Sequence, residues 1–166
     1  SVLMPSLNAE KFIRQSVQSV VDQTLSDIEI ICIDAGSTDG TLEVLEEFEA
    51  SHDNVVLLRS PVKSYGAQMN MGLAAARGEY IDAHAFKNLY DAAKANDCDI
   101  VKANRYSLSE NGDEYVEVLR GLPYDKVLKP VPELPNIFNP APCIWSALYR
   151  SDFLKANGID FLESPG

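Results

Sequence analysis

The sequence predicts an α/β fold, a mainly parallel central sheet with helices on both faces. Three observations carry that expectation. Short apolar runs of strand length recur along the chain. Longer segments with helical apolar spacing separate them. Proline and glycine mark boundaries, at Pro5, Gly66 and Gly78.

Val2 to Met4 reads as a first strand that Pro5 ends. Asn8 is placed to cap a helix over 9–23, with Phe12, Ile13, Val17, Val20 and Val21 on its apolar face. Ile28 to Ile33 is the second strand. A helix over 41–51 turns Leu42, Leu45 and Phe48 to one side. Val55 to Leu58 is the third strand. Gly66 precedes a helical stretch through Ala76, which Gly78 stops. Glu79 to Ile81 is a short fourth strand, and Ala83 to Asn96 a helix with Phe86, Leu89, Tyr90 and Ala93 inward. Ile100 to Tyr106 reads as a further strand. A hairpin-like turn over 110–113 follows, between 105–108 and 115–119. Residues 122–142 carry six prolines and little periodicity, so they read as a long irregular segment. Ile144 to Tyr149 resumes as a strand, and Ser151 is placed to cap a short helix ending at Gly158. No internal repeat is visible, and 1–166 reads as one domain.

The chain of 166 residues is long enough to bury a core. Its net charge is -11, from 25 acidic and 14 basic residues. No basic patch marks a nucleic-acid binder, and the acidic balance opposes docking on an anionic membrane surface. Surplus acids suit solvated surface or a divalent-cation site. No apolar run reaches the length of a membrane span, and no secretory leader is read. Cys32, Cys98 and Cys143 are widely spaced with no Cys-x-x-Cys pair, so they read as reduced packing residues. His52 and His84 each lack a second ligand at zinc spacing.

The stretch Ile28–Thr41 carries the chemistry. An almost continuous apolar run ends in Asp34, then in a cluster of Gly, Ser, Thr and Asp. A buried parallel strand delivering one carboxylate to the sheet rim reads this way, and ligands of open α/β sheets bind there. The same pattern also fits a plain strand–turn–helix corner with Asp34 as the turn acceptor. The Gly36–Gly40 turn is not a P-loop, because no Lys follows the second Gly. No Gly-x-Gly-x-x-Gly follows the first strand, which disfavours a dinucleotide oxidoreductase.

Several blocks together resemble the nucleotide-binding half of family 2 glycosyltransferases with the GT-A fold. They are Pro5-Ser6-Leu7-Asn8-Ala9-Glu10, Ser16-Val17 with Gln23-Thr24, Ile33–Thr41, Asn70-Met71-Gly72, and Ala76–Ile81. Ile144–Arg150 and Gly158–Gly166 are similar to the acceptor-side half of the bacterial polysaccharide and lipopolysaccharide enzymes of that family. The resemblance implies a GT-A, Rossmann-like nucleotide-diphospho-sugar transferase fold. It divides the domain into a nucleotide-binding half over about 1–104 and an acceptor-side half over about 105–166.

The implied activity is inverting transfer of a sugar from a nucleotide-sugar, a UDP-sugar first, to a hydroxyl of a glycan or lipid-linked glycan. Cell-surface polysaccharide synthesis in the cytoplasm, at the inner membrane face, is the implied setting, with peripheral membrane association. A divalent cation, Mg²⁺ or Mn²⁺, would neutralise the leaving diphosphate, and a carboxylate would take the acceptor proton. The resemblance puts Pro5, Leu7 and Glu10 at the base and ribose, Asp34 on the base, Lys63 near the nucleotide, and Trp145 in the acceptor pocket.

The departures concern the same functions. Leu7 stands where the family often has Tyr, Ala35 where a second acid is frequent, Ser64 where Gly is usual, and Met69 where Arg is frequent. The Asp-x-Asp metal pair expected after Ile81 is missing, since Ile81 is followed at once by Asp82-Ala83-His84. Both flanks keep the family pattern, so an omitted segment is favoured over a deleted motif. The catalytic base is expected beyond Gly166. A second reading is a non-catalytic nucleotide-sugar-binding module of the same fold. A nucleotidyltransferase would need a Gly-rich, basic loop after the first strand, and Pro5–Glu10 has neither feature.

Overall fold

The computed structural model describes residues 1–82, 87–102, 105–109, 112–116 and 147–161. The elements run β1 (Val2–Ser6), α1 (Glu10–Val21), β2 (Ile30–Asp34), α2 (Thr41–Ser51), β3 (Val55–Arg59), α3 (Tyr65–Ala75), β4 (Tyr80–Asp82) and α4 (Lys87–Asn96). Then come β5 (Ile100–Lys102), β6 (Arg105–Ser109), β7 (Gly112–Val116), β8 (Ala147–Arg150) and α5 (Ser151–Ala156). The main sheet is six-stranded, in the order β3-β2-β1-β4-β8-β5. β1, β2, β3 and β4 are parallel, while β8 runs antiparallel to both neighbours.

Every residue of β2 is buried, as a strand covered on both faces requires. Its side chains divide with period two. Ile30 and Cys32 join Val2 under Ile13 and Val17 of α1 and Leu45 and Phe48 of α2. Ile31 and Ile33 join Leu3 under Met69 and Leu73 of α3 and Leu154 of α5. Helices therefore cover both faces, as the apolar periodicity predicts. The odd–even split also explains why Phe12 departs from expectation. It is 68% exposed, because Ile13, Val17 and Val20 already fill the inward face of α1.

Two capping expectations are corrected. Asn8 does not cap α1, whose N-cap position is Ala9 and carries no side-chain bond. Asn8 has φ 51, and its Oδ1 instead accepts from Thr38 N across the rim at 2.8 Å. Ser151 is the first residue of α5 rather than its cap. The segment 100–106 is also not one strand. β5 ends at Lys102, and Arg105 opens a separate hairpin in which Ser109 pairs with Gly112.

The second half of the chain is woven into the first. β8 sits between β4 and β5 in the main sheet. Asn70 Nδ2 donates to Phe161 O at 2.9 Å, and Phe161 N donates back to Asn70 Oδ1 at 2.6 Å. That two-way amide bond holds the segment after α5 against α3.

Candidate functional site

β1, β2 and β3 run in parallel and end together at Ser6, Asp34 and Arg59. The chain moves outward from β1 to β2 to β3, then returns through α3 to β4 on the other side of β1. The order of strands therefore reverses beside β1. In open α/β sheets that reversal opens a crevice at the carboxyl ends, and ligands enter there. Pro5, Leu7, Glu10, Asp34 and Lys63 all stand at or beside this rim.

Asp34 is 2% exposed at the end of β2. Its Oδ2 accepts from Gly36 N at 2.8 Å and Ser37 N at 3.0 Å. Its Oδ1 accepts from Ser37 Oγ at 2.5 Å. This is an Asx-type turn, and Gly36 serves it by taking φ +79, a left-handed conformation most side chains avoid. A carboxylate offers about four acceptor positions. Three are occupied by the turn, so one remains on Oδ1 for an incoming N–H. Asp34 thus serves as a turn acceptor, with unused acceptor capacity on Oδ1.

Asp39 joins the loops after β1 and β2. Its Oδ2 accepts from Glu10 N, in the first turn of α1, at 3.1 Å. Its Oδ1 accepts from Thr41 N at 3.0 Å and Thr41 Oγ1 at 2.5 Å, where α2 begins. One carboxylate therefore satisfies orphan donors of two helices. The Thr41 bonds come first in holding it below the usual carboxylate range, and the backbone bonds add to them. Thr41 Oγ1 also accepts from Ala9 N at 2.7 Å, and Ser37 Oγ accepts from Asn8 N at 2.9 Å. The Glu10 carboxylate lies on Gly40, where a Cβ would stand 2.7 Å from its Oε1.

Gln68 of α3 ties the rim from the opposite face. It is 5% exposed, and its Nε2 donates to Ser6 O at 2.9 Å and Ile33 O at 2.7 Å. Neither Gln68 nor Asp39 is among the residues that the sequence pattern singles out. The available signal for Gln68 is a polar residue on the buried face of an otherwise apolar helix. For Asp39 it is an acid two residues before a helix-opening Thr.

Lys63 is exposed, and among the described residues it has no ion-pair partner. Met69 is 1% exposed inside the core, so it faces away from the rim. Trp145 lies outside the described residues.

The β4 flank of the crevice differs. Among the described residues β4 pairs with β1 through Val2 and Asp82 alone. Asp82 is therefore level with the start of β1, four residues short of Ser6, or about 13 Å below the rim. Among the described residues, no group of three or more His, Cys, Asp or Glu could hold a metal ion. No described helix is long and apolar enough to cross a membrane.

The model of glycosyl transferase family 2 matches residues 1–155. The chain belongs to this family. Its fold is GT-A, with the mixed six-stranded sheet described above. Among curated relatives, glycosyltransferase GlyG of Streptococcus pneumoniae serotype 4 is 31% identical over 73% of this chain and 44% of its own length. A poly(ribitol-phosphate) β-glucosyltransferase of Bacillus spizizenii is 30% identical over 97% of this chain and 26% of its own length. The crystal structure of S. aureus TarS 1-349 in complex with UDP superposes with TM-score 0.72 at 21% identity, covering 97% of this chain and 49% of that one. The chain spans half or less of each of these relatives.

The alignment with the B. spizizenii enzyme runs over 179 residues, although this chain has 166. That relative therefore carries residues with no counterpart here.

Proposed function

We propose that this chain binds a nucleotide-sugar, a UDP-sugar first, at the β1–β3 rim. The reaction is inverting transfer to a hydroxyl of a glycan or lipid-linked glycan in cell-surface polysaccharide or lipopolysaccharide synthesis. The observation that carries this reading is the position of Asp34. It is buried at the rim beside the strand-order reversal, with one acceptor position left on Oδ1. Family membership and relatives named as glycosyltransferases support the reaction class. The complex of S. aureus TarS with UDP supports the nucleotide.

In this reading Pro5, Leu7 and Glu10 frame the base and ribose. Asp34 accepts the base N–H, and Lys63 lies near the nucleotide. The nucleotide half spans about 1–104. The acceptor half spans about 105–166, with Trp145 lining its pocket and a catalytic base beyond Gly166. The work is done in the cytoplasm, against the inner membrane face.

A Mg²⁺ or Mn²⁺ ion would neutralise the leaving diphosphate. The described residues do not fit such an ion, because a single acid at the level of Val2 is no bidentate oxygen site. The transfer step assigned to this chain is therefore limited to donor binding and orientation.

Thermal shift and calorimetry with UDP, GDP and CDP, with and without Mn²⁺, test the reading. UDP is expected to raise the melting temperature most. Asp34→Ala is expected to weaken UDP by about 1–3 kcal/mol, the loss of one bond to a charged group. Silence toward every nucleotide would overturn the proposal. Binding without sugar transfer would leave a binding module in place of an enzyme.

A further inference from the structure

Five large apolar side chains are exposed among the described residues: Leu7, Phe12, Val62, Tyr65 and Ile159. Three of them stand on one rim. Leu7 leaves the carboxyl end of β1, while Val62 and Tyr65 follow β3, Tyr65 as the first residue of α3. Scattered exposed apolar residues need no explanation. Three on one rim do, and one of them is aromatic.

Tyr65 is placed by Gln68. The two residues are three apart on α3, so they share a helix face. Gln68 reaches Ser6 O and Ile33 O, the last carbonyls inside the rim. Tyr65 stands one turn nearer the helix N-terminus, about 4.5 Å farther along the axis. That turn carries it past the ends of β1 and β2. The ring is 40% exposed, and its hydroxyl has no hydrogen-bond partner among the described residues. Among the described residues none uses either the outer ring face or the hydroxyl. Burial of the remainder of the ring pushes the phenol above its usual range, so the hydroxyl stays protonated in neutral solution.

We propose that Tyr65 is the base platform of the rim, its ring stacking on the nucleobase of the bound donor. This rests on the nucleotide reading above. An aromatic face attracts any base with little regard to its identity, so the platform supplies affinity while Asp34 supplies the hydrogen bond. Leu7 and Val62 add apolar surface to the same rim.

The test is calorimetric titration of UDP into the wild-type chain, Tyr65→Phe and Tyr65→Leu. Ribose 5-diphosphate, which has no base, is titrated in parallel. Tyr65→Phe is expected to bind UDP within about twofold of wild type. Tyr65→Leu is expected to lose at least about fivefold, the low end of the range for one base–aromatic stack. Binding of ribose 5-diphosphate is expected to stay unchanged in both variants. Melting curves establish that each variant is folded. Wild-type affinity for UDP in Tyr65→Leu would overturn the platform and leave the nucleotide site standing. Equal losses for UDP and ribose 5-diphosphate would also overturn it, assigning Tyr65 a structural part. A wild-type chain that binds no UDP would remove both the nucleotide reading and the platform.

Discussion

The two sides of β1 are built to different depths. On the β2 side, five residue pairs run from Val2 against Ile30 to Ser6 against Asp34, and the strands end level. On the β4 side the described residues form a single pair, Val2 against Asp82. The β2 side carries a finished rim, with loops stitched by Asn8, Asp34, Ser37, Asp39 and Gln68. On the β4 side the described residues reach only the level of Val2, four residues below it. In a parallel sheet, a side chain reaches the ligand edge only if its strand is long enough to carry it there. The contrast separates two jobs. In the proposed reading, base recognition draws on the β1–β3 rim, whereas charge neutralisation on the diphosphate would draw on a strand that arrives at the rim beside β1.

The largest effect should come from the core under the finished side. Ile33 is fully buried between Leu3 and the inner face of α3. Ile33→Ala is expected to cost about 2–5 kcal/mol, from lost transfer energy and the cavity left behind. Chemical denaturation reads this directly. It should also blunt nucleotide binding, because the Ile33 carbonyl is one of the two that Gln68 holds.

Gln68→Leu comes next. It keeps the side-chain bulk but removes the amide from Ser6 O and Ile33 O. A buried acceptor that loses a partner costs about 1–3 kcal/mol. The low end is expected, because Ser6 O keeps Ala35 N at 3.1 Å and Ile33 O keeps Ser6 Oγ at 3.3 Å. Denaturation midpoints check the magnitude. A loss of UDP affinity larger than the loss of stability would show that the amide shapes the rim. A matching pair of losses would show that it only supports the fold.

Much of this architecture was legible in the residues. β2 is almost continuously apolar and is flanked by helices with clear faces, so its burial and parallel setting follow from pattern. α2 over 41–51 matches its sequence boundaries, because Thr41 and His52 bracket a regular run of Leu45 and Phe48. What pattern could not reveal is long-range. Asn8 has the chemistry of a helix cap, yet a positive φ turns it toward Thr38, thirty residues away. Asp39 takes over at α1 from a different loop. Local spacing predicts that a helix start needs an acceptor, but not which loop will deliver it. The site was legible in the same uneven way. Asp34 at the rim follows from the strand that ends in it. The three turn bonds that share its carboxylate depend on how Gly36 and Ser37 fold back. The depth of β4 depends on register, which a three-residue strand does not specify from its own residues.

The smallest effect is the one that best separates the two sides, and it is a matter of acid stability. Asp39 on the rim is held below the usual carboxylate range by Thr41, and Asp97 beyond α4 is held low by Arg150. A carboxylate with a depressed folded value contributes stability that is fully present above its unfolded value, near pH 3.9. That contribution is lost as pH falls from there through the lower folded value. Melting temperature should therefore decline on acidification below about pH 4. Asp39→Asn and Asp97→Asn should each flatten part of that decline, since an amide has no proton to gain. The two variants should part company in ligand binding at neutral pH. An amide in place of Asp39 cannot accept from both Glu10 N and the Thr41 pair with both atoms, so the loops after β1 and β2 loosen and UDP affinity falls. Asp97→Asn acts at Arg150 and Lys94, away from the β1–β3 rim, and should leave UDP affinity as it is. Equal behaviour of the two variants toward UDP would mean that the rim does not depend on its stitching, and the contrast between the two sides of β1 would lose its functional content.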